Sequence, residues 1–194
     1  MVGRPREFDV DEALKAAMEA FWARGYEATS LNDLMAATGL HKGSIYKAFG
    51  DKHTLFVTAL KRYLEEMRNS KTEILAQAES PLAGLRALAH NMVDLVDDGP
   101  CPKGCMAVNA LVELAPHDKE VNAIMSDHVE RMRSAIEETV SAGQKIGEIS
   151  RTRPASLIAA MMMTFVAGLG TTMKGPITKT QAHALVDAQI EALL

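Results

Sequence analysis

Between Gly39 and Lys52 the chain carries Lys42, Gly43, Ser44, Tyr46 and Lys47, and no acidic residue falls between Thr38 and Gly50. Ammonium, hydroxyl and phenol groups with no carboxylate among them suit one chemistry, holding phosphates and reading the acceptor edges of bases. Lys47 stands one helical turn beyond Gly43, where it can reach guanine acceptors. Gly43 lets a backbone approach a duplex closely, and Ser44 can donate or accept at a base edge or a phosphate. Tyr46 joins an apolar body to a hydroxyl suited to a phosphate. Lys52 would offer a charge and a backbone N–H to the sugar-phosphate chain.

Two other groups of residues can do chemistry. Cys101 and Cys105 stand in Pro100-Cys101-Pro102-Lys103-Gly104-Cys105. A helix start and the nearby Lys103 would both favour the Cys105 thiolate, making it, with Cys101, a candidate sensor of electrophiles or oxidants. Equally, Cys105 reads as a small buried apolar residue. A zinc site would need two further ligands from His90 or His117, so no metal and no cofactor is expected. The second group is apolar with a few polar members: His90, Met106, Asn109, Glu113, Met132 and Phe165, with His117, His128, Met92 and Met125 nearby. The chain has 12 Met against 5% aromatic residues. Flexible thioethers fill an irregular core, and they also shape themselves around a small-molecule effector.

The elements that must position these residues are helical throughout, with no alternating β-branched run. Asp9 to Glu12 predicts a capping box, followed by Leu14, Met18 and Phe21 on one face and a stop at Gly25. Ser30 and Asp33 open a short helix that Gly39 ends. A third starts near His41 with Ile45, Tyr46 and Phe49. Asp51 caps a long helix whose stripe runs from Leu55 and Phe56 through Leu60, Leu64 and Met67. Ser80-Pro81 starts another, up to the break at Asp97-Asp98-Gly99-Pro100. A short helix follows from about Gly104 to Ala115, then a long one capped by Asp118. The segment 143–147 reads as a turn. Two closing helices, about Pro154 to Met173 and Thr180 to Leu193, are apolar on more than one face. The expected fold is all-α, with about nine helices. An N-terminal three-helix DNA-binding domain over 1–52 carries the helix-turn-helix, and a helical effector-binding and dimerisation domain covers 53–194.

The run Gly39-Leu40-His41-Lys42-Gly43-Ser44-Ile45-Tyr46-Lys47-Ala48-Phe49-Gly50-Asp51-Lys52, followed by Leu55-Phe56, resembles the helix-turn-helix of the TetR family of regulators. Phe21, Gly25-Tyr26, Thr29-Ser30 and Asp33 fit the same pattern at matching spacing. The resemblance implies a dimeric, all-helical repressor of palindromic operator DNA, released by a small molecule. It implies that Thr29, Lys42, Tyr46 and Lys52 touch the backbone while Gly43, Ser44 and Lys47 read bases. His41 departs from the Ser or Thr usual at that helix start, and Lys47 replaces a frequent His. Gly3-Arg4-Pro5-Arg6 reads either as a minor-groove arm, with Arg4 and Arg6 as its cations, or as a solubilising N-terminus.

The net charge of −4 argues against nucleic acid taken whole, but the charge is uneven. Through Arg62 there are nine basic and eight acidic residues, and beyond it twelve and seventeen. Phosphates feel the nearest charges, since salt screens distant ones. No apolar leader follows Met1 and no apolar run is long enough for a membrane span, so a cytoplasmic protein with no membrane contact is expected. Two readings compete with an effector-released DNA-binding dimer. A helical thiol oxidoreductase using Cys101, Cys105, Glu113 and His117 leaves the basic face unexplained. So does a helical dimer that never touches DNA.

Overall fold

Six helices begin at a side chain that closes the first turn. Asp9, Ser30, Asp51, Ser80, Asp118 and Thr178 each accept a hydrogen bond from a backbone N–H one to three residues inside the helix they start. Such caps contribute about 1 kcal/mol each by satisfying donors the helix leaves open. The computed structural model describes residues 8–95, 103–175 and 177–194, and among them it has nine α-helices and no strand. These are α1 (Val10–Arg24), α2 (Leu31–Thr38), α3 (Lys42–Phe49), α4 (Lys52–Gln77), α5 (Pro81–Asp94), α6 (Met106–Glu113), α7 (Lys119–Ile146), α8 (Ala155–Thr172) and α9 (Lys179–Leu193).

The caps differ in detail from the expectation. Ser30 and Asp33 form a full reciprocal capping box. Asp9 accepts from Asp11 and Glu12, but Glu12 makes no return bond, so the box expected there is a simple cap. Gly39 sits at φ 67°, the left-handed conformation that ends α2 and turns the chain into α3. One boundary is corrected. The segment 143–147 is not a turn throughout, because α7 continues through Gly143 to Ile146 and only Gly147, at φ 81°, leaves the helix. Gly143 is glycine for packing: a Cβ there would stand 2.5 Å from Ile149 Cδ1.

Two apolar cores share α5 and α7, each of which contributes buried residues to both. The first joins α1 to α4 with Cys105, Met106, Ala107, Ala110 and Leu114 around α6 and with Val121 and Met125 of α7. The second joins α5, α7, α8 and α9 around Val93, Val140, Ile158 and Val186. The first core runs unbroken past Lys52, through Leu55, Leu60 and Leu64 to Met67. The N-terminal helices therefore rest on α6 and α7 through continuous side-chain packing.

Candidate nucleic-acid interface and effector chamber

In α3 the inward positions are Ile45 and Phe49, one turn apart and both buried, and they fasten the helix to the first core. His41, Lys42, Gly43, Tyr46 and Lys47 are exposed on the opposite side, and Ser44 is half-buried beside them. Among the described residues, Lys42, Lys47 and Lys52 form no ion pair with a carboxylate, whereas Arg24 pairs with Asp33 and Arg62 with Glu66. Lys42 Nζ lies 5.5 Å from the Tyr46 ring centre, and Lys52 Nζ lies 4.2 Å from that of Tyr26. The rings orient these ammonium groups without neutralising them. A Cβ built on Gly43 would meet nothing within 4 Å. The chain's own packing therefore does not require glycine at that position. His41 makes no side-chain cap bond, as its replacement of Ser or Thr led us to expect.

Thr29 is a correction. It is completely buried, and its hydroxyl donates to Gly25 O at 2.6 Å and lies 3.4 Å from Ala20 O. A hydroxyl committed to closing the α1–α2 turn offers nothing to a phosphate. Arg4 and Arg6 lie outside the described residues.

Several polar contacts tie the head to the rest of the chain, among them Trp22 Nε1–H donating to Gly104 O at 2.8 Å and Lys103 pairing with Glu19. Glu113, at the end of α6, accepts from Tyr26 N at 2.9 Å and Glu27 N at 2.8 Å. Asp118, while capping α7, also meets His53 Nε2 at 2.5 Å in the first turn of α4. Its carboxyl is held below the usual range by the Val121 N–H first and by the His53 contact after it.

Behind the head, α4, α5, α6, α7 and α8 enclose an apolar chamber of about 100 Å³. Its wall includes Met67, Met92, Met125, Met132, Met162, Met163, Leu88, Val108 and Val166, with Cys105, Lys71 and His128 as its polar members. It adjoins an open cleft of about 600 Å³ between α4 and α7, and Lys71, Leu88, His128, Met132 and Ile136 belong to both. Of the six residues expected to line an effector site, only Met132 lines this chamber. Met106 is in the first core behind the wall, and Phe165 packs on the second core. Asn109 Nδ2 donates to Lys103 O at 3.2 Å, and Glu113 is occupied as described. His90 faces α9, with Nδ1 2.7 Å from His183 Nδ1 and Nε2 3.0 Å from Asp187 Oδ1. Glu113 and His90 are paired by partners far away in sequence, and Asn109 by a carbonyl six residues back.

Cys105 is buried at the N-cap of α6, and the Tyr63 hydroxyl donates to its sulfur at 3.7 Å. Lys103 does not serve it. That ammonium pairs with Glu19 at 2.6 Å and lies 5.3 Å from the Trp22 ring centre. Cys101 lies outside the described residues.

Sequence reasoning passed over Lys71, yet a signal was there. It continues the spacing of Leu60, Leu64 and Met67 along α4, so a lysine occupies a buried stripe. Glu113 and Tyr26 left no such local sign of their contact.

A capped helix-turn-helix with a bare cationic face, seated on a larger helical body, is the architecture of a DNA-binding transcription regulator. Residues 13–59 match the family model for bacterial regulatory proteins of the tetR family, and residues 81–184 match the tetracyclin repressor-like C-terminal domain. The chain belongs to the TetR family. It is 31% identical to the uncharacterized HTH-type transcriptional regulator YezE of Bacillus subtilis, over 77% of each chain. It is 30% identical to the HTH-type transcriptional repressor ComR of Escherichia coli, over 86% of this chain and 80% of that one. A cysteine mutant of the TetR family regulator CifR, complexed with 26bp double-strand operator DNA, superposes with a TM-score of 0.87 at 30% identity. That match covers 99% of this chain and 100% of the other.

Proposed function

We propose that this regulator is a repressor that binds a palindromic operator as a homodimer. Each α3 enters a major groove, and a small molecule in the methionine-rich chamber releases the protein. The observation that carries the reading is the exposed face of Lys42, Gly43, Tyr46 and Lys47, free of carboxylates and backed by buried Ile45 and Phe49. Two such faces about 34 Å apart would meet one side of a duplex. The similarity to the repressor ComR and to operator-bound CifR supports both the partner and the sign of regulation. A DNA-bound regulator of this family works in the cytoplasm, where the DNA is.

Dimerisation through α8 and α9 is supported by their second apolar faces. Only 28% of the apolar helix Ala155–Thr172 is buried within one chain, and Leu157 and Leu185 are among the large exposed side chains. A four-helix interface between two copies would cover them. By length and composition α8 also passes for a membrane span, but it packs along α7 and α6, as a helix of a globular body does.

Gel-shift titration against salt tests the DNA assignment. Affinity should fall steeply between 50 and 200 mM salt, as about 10³–10⁵-fold for six to ten phosphate contacts. Lys47→Ala should relax base preference, whereas Lys52→Ala should weaken all sites alike. A salt-independent affinity, or no affinity, overturns the assignment.

A second route of release is modification of Cys105, which the sulfur's place in the chamber wall favours. Mass spectrometry after mild quinone or hypochlorite treatment should find the adduct on Cys105, with loss of operator binding. An unmodified Cys105, or binding unaffected by its modification, removes this route.

A further inference from the structure

The charges around the cleft are matched except at one point. Lys61 lies 3.4 Å from Glu120, Arg68 lies 3.6 Å from Glu65, and Arg131 lies 2.7 Å from Asp127. Lys71 has no such partner among the described residues. Its Nζ donates instead to Met132 Sδ at 3.4 Å. A thioether is a weak acceptor, so a half-buried ammonium is left without a carboxylate partner. Burial pushes the Lys71 pKa down, with the Cys105 sulfur in the same chamber wall the smaller, opposing influence. Burial first, and the Lys71 charge second, hold His128 at about 4, so its imidazole is neutral and can donate one N–H. Both side chains stand where the apolar chamber adjoins the open cleft.

We propose that the effector is a medium-chain organic carboxylate. Its head group pairs with Lys71 and accepts from His128, and its tail lies among Met67, Met92, Met125 and Met162. The proposal rests on the chamber being the effector site. The wall suits the tail because thioethers adapt to chains of varied shape. The junction suits the head because an incoming anion gives Lys71 the partner the fold withholds. An alcohol of the same length can accept a hydrogen bond but leaves the ammonium without a counter-charge.

The test is calorimetric titration of the full-length protein at pH 7 with octanoate and with 1-octanol, which share a tail and differ in charge. Octanoate should bind about tenfold or more tightly than octanol, the scale of one charged hydrogen-bonded pair. Lys71→Met, which keeps the stem and drops the charge, should abolish that preference while octanol binds as before. Lys71→Arg should retain it. Octanol binding as tightly as octanoate in the wild-type protein overturns the anion and leaves the apolar chamber standing. A preference that survives in Lys71→Met overturns it as well. Binding of neither ligand overturns the chamber itself as the effector site. The wild-type comparison stands even if Lys71→Met fails to fold.

Discussion

The Glu113 carboxylate holds the turn that follows α1, accepting Tyr26 N–H at 2.9 Å and Glu27 N–H at 2.8 Å across 87 and 86 residues of sequence. Tyr26 in turn packs on Phe56, with ring centres 5.1 Å apart, and lies beneath the Lys52 ammonium. The other end of α6 carries Cys105, and with Ala107, Val108 and Leu111 this helix forms part of the chamber wall. Eight residues of helix, about 12 Å long, thus reach from the chamber to the DNA-binding head. A ligand that shifts α6 must move the Tyr26 turn or break its bonds to Glu113.

Removing that carboxylate should uncouple the two ends. Glu113→Ala leaves two backbone donors without their charged acceptor, a loss of about 1.5–3 kcal/mol for a hydrogen bond of this kind. Glu113→Gln should fall between it and the parent. Denaturant titration should show the stability order, and operator titration should show weaker binding for Glu113→Ala. Unchanged stability and unchanged operator affinity would remove Glu113 from the coupling.

Two glycines should respond in opposite ways to the same substitution. At Gly25, with φ 82°, an added Cβ would stand 2.7 Å from Glu113 Oε2, so Gly25→Ala should destabilise by more than about 1 kcal/mol. At Gly43 nothing lies within 4 Å, so Gly43→Ala should leave the melting temperature unchanged or raise it. Its methyl group would nevertheless stand on the DNA face, and operator affinity should fall. Thermal melts and gel shifts on the two variants check both halves.

His128 makes stability depend on pH. Its pKa is about 4 in the fold against 6.5 unperturbed, so below 6.5 the unfolded chain takes up a proton that the folded chain refuses. The contribution of the neutral imidazole is intact above pH 6.5. It is lost progressively down to about 4, by up to roughly 1.4 kcal/mol per pH unit before solvent screening reduces it. His128→Gln should flatten the difference in denaturation midpoint between pH 7 and pH 5. An equal slope in parent and variant would place the acid sensitivity elsewhere.

The outer apolar faces of α8 and α9 should govern assembly. Leu157→Glu and Leu185→Glu each put a charge on a side chain already exposed in the single chain, 48% and 44% respectively, so the fold should survive. Sedimentation should show a dimer for the parent and monomer for the double variant, and operator affinity should fall with it. A dimeric double variant would assign the interface to another surface.

Much of this molecule is legible along the chain. Ser30 with Asp33, Gly39, Asp51 and Asp118 mark helix ends at or within a residue of their places, because a cap is a contact between neighbours in sequence. The cationic face of α3 was legible for the same reason: an eight-residue helix shows which side is apolar and which is cationic. Gly143 misled because a glycine near a helix end suggests a break. Only the packing of Ile149 against it explains why the helix passes through.

The chamber was not legible in this way. Asn109, Glu113 and His90 have the polarity of ligand-fixing groups, but their partners are Lys103, Tyr26 with Glu27, and His183 with Asp187. Thr29 has the hydroxyl of a phosphate contact and spends it on the carbonyl of Gly25. Periodicity and capping specify each helix from its own residues. Whether Glu113 or His90 is paired, and whether Lys71 is left facing a cavity, depends on contacts between segments far apart in the chain, and those exist only once the helices have packed.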